Sequence, residues 1–128
     1  MTKVSRIPLD RQIEFDLKND FWHALGKLNK AEVELLFREI LSPTEIIMLA
    51  KRLEILKQLL KKYRYQDIKE SIRATEPTIA KVSLTLQRSS SHFRDLVIKL
   101  IKDDKRRWEE FKNKRKPQWR GRMIFSSK

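Results

Sequence analysis

Apolar residues recur at helical intervals along most of the chain, and polar breaks separate the stripes. From Asp10 to Leu28, the positions Ile13, Leu17, Phe21, Leu25 and Leu28 follow one helical face. Phe15 and Trp22, seven residues apart, widen that face sideways. So broad an apolar band on one early helix asks for more than one neighbour, which in a short chain points to a partner subunit; an ordinary core helix fits the same pattern. Asn29 interrupts, and Ala31 to Ile40 forms a second helix with Val33, Leu36, Phe37 and Ile40 inward. Ser42-Pro43-Thr44-Glu45 is a capping box with proline at the first helical position, so it starts a third helix. That helix is predicted to run to about Tyr63, burying Ile46, Leu49, Ala50, Leu53, Leu56 and Leu60.

Tyr65 to Arg73 then reads as a short helix with Ile68 and Ile72 as its inward pair, and Ala74-Thr75 as a turn. Thr75 is a candidate N-cap for the next helix, Pro77 sits in its first turn, and Ile79, Val82 and Leu86 face inward. Three serines, Ser89 to Ser91, can cap a last helix from His92 to about Lys112, with Phe93, Leu96, Val97, Leu100 and Ile101 as its stripe. Trp108 and Phe111 extend that stripe, and Pro117 ends regular structure. The chain divides into a flexible lead at 1–9, an all-helical domain at 10–113 and a basic tail at 114–128 that contains Trp119.

The segment at about 65–87 meets the needs of a helix-turn-helix, which presents its second helix to the major groove of DNA. Ile68, Ile72, Ile79 and Val82 lock the two helices, and Thr78, Ala80 and Lys81 give the second helix a small and polar outer face. The turn is less orthodox, since Arg73 stands where glycine often sits; a left-handed arginine costs about 1 kcal/mol. An internal helical hairpin without function fits the motif alone. The net charge of +13 shifts the balance, because a cationic surface gains affinity for nucleic acid by counterion release. An anionic membrane surface also attracts such a charge. The tail, from Lys112 to Arg122, has two readings: a phosphate-tracking element with Trp119 on the duplex or the core, and a solvated tail.

These residues resemble the Trp repressor superfamily over roughly Leu36 to Leu86. The marks are Leu41-Ser42-Pro43 with Glu45, then Arg52, Ile55 and Leu59-Leu60, then Tyr65-Gln66-Asp67-Ile68, and Thr78-Ile79 followed by Ser83 and Leu86. The resemblance implies an all-α, multi-helix intertwined homodimer carrying a helix-turn-helix and acting on double-stranded DNA. It implies that Thr75, Glu76, Pro77, Thr78, Ala80 and Lys81 face bases or phosphates, and that Tyr65, Gln66 and Lys69 approach the backbone. Glu76 and Pro77 depart from the family's small apolar residues; Glu76 can accept from a cytosine amino group but repels phosphate.

The family's effector pocket would map to Arg52, Lys81, Val82 and Thr85. Arg52 matches one of the two arginines that sandwich an indole, but Lys81 replaces the other and Val82 replaces a glycine. Lysine lacks the planar guanidinium, and valine fills space the ring needs. Tryptophan is therefore not expected to bind, and the small-molecule effector is unknown.

The remaining chemistry is sparse. Cysteine is absent, which excludes disulfides and thiolate metal sites and fits a reducing cytoplasm. His23 and His92 have no companion ligands in the sequence, so no metal or other cofactor is expected. Asp103-Asp104 and Glu109-Glu110 read as ion-pair partners of Lys99, Arg106, Arg107 and Lys114 rather than catalytic carboxylates. No apolar run approaches the ~20 residues of a membrane span, and the N-terminus lacks the core of a signal peptide. The reading is a cytoplasmic, non-enzymatic, sequence-specific DNA-binding transcriptional regulator, a repressor acting as a homodimer. The alternative is a low-specificity nucleoid- or RNA-associated basic helical protein. A structural interaction module is a third class.

Overall fold

In the computed structural model the described residues, 7–115, form six helices and no strand. They are α1 (Arg11–Lys27), α2 (Lys30–Ile40), α3 (Pro43–Leu60), α4 (Tyr65–Ile72), α5 (Glu76–Arg88) and α6 (Ser91–Arg115). Most of the lead, and the tail from residue 116 with Pro117 and Trp119, lie outside the described residues. The chain divides into a first unit ending at Ala50 and a second beginning at Lys51.

Local chemistry sets most helix ends. Asn29 caps α2 by accepting from the Glu32 N–H at 2.9 Å, while the Glu32 carboxylate accepts from the Asn29 N–H at 3.0 Å. Ser42 and Glu45 make the same reciprocal pair at the start of α3, at 3.1 and 2.8 Å. Ser90 caps α6 by accepting from the Phe93 N–H at 3.3 Å. The far end of α3 differs from the sequence expectation, because the helix stops at Leu60 rather than near Tyr63. Lys62 turns to φ 69°, the Tyr63 N–H donates to the Gln58 carbonyl at 3.1 Å and the Lys62 N–H to the Leu59 carbonyl at 3.0 Å. This is a Schellman closure with lysine in the left-handed place where glycine is usual.

In the first unit, neither α1 nor α2 buries a residue. Leu25, Leu28, Val33, Leu36 and Phe37 are half-buried; Ile40, expected to face inward, is exposed, and so are Ile13, Leu17 and Phe21 of the α1 stripe. Among the described residues the apolar band of α1 stays open: Phe15 and Trp22 are each 64% exposed.

The second unit holds the core. Ile55, Ile68 and Ile79 are fully buried together with Ala74 and Val82, and Leu56, Leu59 and Ile72 pack against them. Leu86 and Val97 are buried as well. The buried face of α3 is therefore centred on Ile55, whereas Leu49, Ala50 and Leu53, expected inward, are exposed. The physical reason is that α3 is apolar on more than one side: Ile55 and Leu59 share one face, and Leu49, Leu53, Leu56 and Leu60 follow another. A polar side chain is also buried. The Gln58 amide donates to Glu54 at 3.0 Å and its oxygen accepts from the Ser71 hydroxyl at 3.1 Å, so the group is satisfied and ties α3 to α4.

Ion pairs fix α6. Lys57 on α3, only 12% exposed in its side chain, donates to Asp104 at 2.6 Å. Asp104 also pairs with Arg107, and Asp103 with Arg106 and Arg107. The Arg107 hydrogen bond, helped by Arg106, holds the Asp103 carboxyl below the usual carboxylate range. Glu109 pairs with Lys112, and Trp108 stacks on Phe111 at 5.4 Å.

Ile55→Ala removes the α3 side chain from the centre of this core and should destabilise the chain by about 2 to 5 kcal/mol. Urea unfolding followed by circular dichroism checks this, and a loss under about 1 kcal/mol would place the anchor elsewhere.

Candidate nucleic-acid interface

The turn between α4 and α5 depends on a backbone conformation that the sequence does not favour. Arg73 caps α4 in the left-handed region, at φ 55° and ψ 48°. Its carbonyl accepts from the Lys51 ammonium at 3.3 Å, which ties the turn to α3. Ala74 follows and is buried, a place where a larger side chain would have to displace the core. Thr75, extended at φ −84° and ψ 157°, then caps α5: its hydroxyl oxygen accepts from the Thr78 N–H at 3.4 Å and bonds the Thr78 hydroxyl at 2.9 Å. Pro77 occupies the first turn, where its missing N–H is harmless.

This start sets which sides of α5 look in and out. Ile79 and Val82 enter the core with Ile68, and α4 packs directly against α5. Thr75, Glu76, Pro77, Thr78, Ala80 and Lys81 are all exposed. On α4, Tyr65 and Gln66 are exposed and Lys69 is half-buried. The nine sequence-derived candidates thus lie on α4, on α5 and at the cap between them, around one turn.

Several polar groups there are already partnered. The Gln66 amide donates to Glu70 at 2.7 Å. Arg64 grips Asp67 with two nitrogens, at 3.1 and 3.3 Å, and that hydrogen bond lifts the guanidinium pKa further above its ordinary value. Lys69 on α4 reaches Glu76 on α5 at 3.4 Å. Arg64 and Lys51 were not singled out from the sequence. The Arg64-x-x-Asp67 spacing is the signal that marks the first; Lys51 is visible only once the turn is built.

The residues of the implied effector pocket separate by burial. Val82 is inside the core, while Arg52, Lys81 and Thr85 are exposed. The Thr85 hydroxyl donates to the Lys81 carbonyl at 3.2 Å, one turn back along α5. Elsewhere, His23 and His92 are exposed, and the described residues contain no group of three or more side chains suited to a metal ion. None of the described helices is long and apolar enough to cross a membrane.

Comparison with protein families gives a match between residues 19–101 and the family model described as Trp repressor protein, more than half of the chain. The match takes in α2 to α5, most of α1 and the first turns of α6. No match is found among curated proteins or among solved structures.

Thr75→Ala removes the cap and the partner of the Thr78 hydroxyl. It should lower stability by about 1 kcal/mol, read as a drop in the thermal midpoint, while helical content at low temperature stays near that of the parent.

Proposed function

Because the chain belongs to the Trp repressor family, we propose that it binds double-stranded DNA sequence-specifically as a homodimer and represses transcription by occluding a promoter, without tryptophan as co-repressor. The family is one of DNA-binding helix-turn-helix regulators, and membership carries that coarser reading by itself. The observation that carries the finer one is the division of α5: Ile79 and Val82 are held in the core, and Thr75, Glu76, Pro77, Thr78, Ala80 and Lys81 are left outward. In this reading Thr78 contacts a base edge, while Tyr65, Gln66 and Lys69 approach the phosphates.

The homodimer is supported by the unsatisfied apolar surface of α1. Ile13, Phe15, Leu17 and Trp22 are each at least half exposed, at 50, 64, 55 and 64%, and a two-fold partner would cover them. Such a dimer presents two α5 helices about one DNA turn apart, ~34 Å, and so reads a palindrome. Independence from tryptophan is supported by Lys81, which cannot stack and bind a carboxylate as arginine does, and by Val82, which occupies the place of the family's glycine.

The net charge of +13 favours a second reading on its own, a basic protein with little sequence preference. Selection of binding sites from random duplex DNA separates the two. The proposal expects a palindrome with half-sites one helical turn apart, a dimeric mass by light scattering, and a Thr78→Ala variant that loses about 1 to 3 kcal/mol on the selected site and little on random DNA. A monomer with intact helicity, or selection without any consensus, would sink it.

Calorimetry with L-tryptophan tests the effector. No saturable binding is expected below about 100 μM, and tighter operator binding in its presence would restore a co-repressor role.

A further inference from the structure

The ion pair between Lys69 and Glu76 differs from its neighbours. Asp67 and Glu70 find their partners, Arg64 and Gln66, within or beside their own helix. Lys69 and Glu76 pair across the turn, at 3.4 Å, from the helix placed toward the phosphates to the first residue of the helix placed toward the bases. Glu76 is exposed and Lys69 half-buried, at 62 and 43% of the side chain, so water still reaches both charges and the pair is weak enough to exchange partners. Glu76 is also the one carboxylate among the nine candidate contact residues, and in the DNA-binding reading it faces a polyanion.

We infer that the Lys69–Glu76 pair is a specificity gate, in which Glu76 accepts from a cytosine amino group and thereby frees Lys69 for a phosphate. The inference rests on the DNA-binding reading above. In the free protein each charge neutralises the other. On DNA without a cytosine in reach, moving Lys69 to a phosphate strands Glu76 unpaired in the phosphate field, so Lys69 stays engaged and a cationic contact is withheld. With a cytosine in reach, its N4 amino group donates to Glu76 in the major groove, and Lys69 is released. The carboxylate thus weakens binding to the wrong sequences more than it weakens binding to the right one. Glu76 determines specificity, and Lys69 reports the outcome to the backbone.

The test uses the full chain and measures binding to a selected duplex and a random duplex across a salt series. Glu76→Gln should bind random DNA roughly fivefold more tightly at 0.1 M salt and steepen its salt slope by about one unit, since Lys69 now reaches a phosphate. Its ratio of selected to random affinity should fall, and its selected sites should lose the cytosine and gain adenine, which glutamine reads. Lys69→Ala should cost more on the selected duplex than on random DNA in the parent, and equally on both in the Glu76→Gln background. An unchanged thermal midpoint for Glu76→Gln assigns these effects to recognition. If the parent selects a consensus while Glu76→Gln leaves both the random-DNA affinity and the selected base unchanged, the gate is wrong and the DNA-binding reading stands. If the parent binds no duplex DNA, both fall.

Discussion

The placement of the candidate contact residues on α4 and α5 follows from one small contact, the meeting of Ile55, Ile68 and Ile79. Each comes from a different helix, each is fully buried, and together they leave α4 and α5 little freedom to roll on α3. A helix whose buried residue is fixed has its exposed residues fixed as well, because 3.6 residues per turn leaves no slack in which side looks outward. The outward set on α5 is thus decided by what Ile79 and Val82 touch, not by the polar residues themselves. The Gln58–Ser71 hydrogen bond and the Lys51 contact to the Arg73 carbonyl add directional ties from α3 to α4 and to the turn that follows it.

The start signals of this fold were legible in the sequence because capping chemistry is local. Ser42 with Glu45 and Thr75 before Pro77 announce helix starts within four residues, and the structure puts α3 and α5 where those signals say. Arg73 was legible too, since the turn required a left-handed residue and no glycine was present. The end of α3 was not. Lys62 reverses the chain without glycine or asparagine to signal it, and only the paired bonds from Tyr63 and Lys62 reveal it. The choice of buried face on α3 was hidden for a different reason. A helix apolar on two sides has no single stripe, and periodicity cannot rank one side over the other. Buried Gln58 gave no signal either, as its partner Ser71 lies thirteen residues away.

The candidate site was legible as a set of positions but not as a set of interactions. Spacing alone put Lys69 on the first short helix and Glu76 at the start of the second. That the two charges meet across the turn depends on the crossing of α4 and α5, which is a property of the core. Val82 is the exception: both its volume and its burial were readable from the sequence.

The core that positions this surface is also local in sequence, for every residue in it lies between Ile55 and Val82. Closing loops this short carries little entropic cost, and contacts of low sequence separation form on the microsecond-to-millisecond scale. The contacts that set the outward face of α5 thus lie within one short stretch of the chain and draw on nothing from α1, so the make-up of this cluster does not depend on what covers the exposed band of that helix.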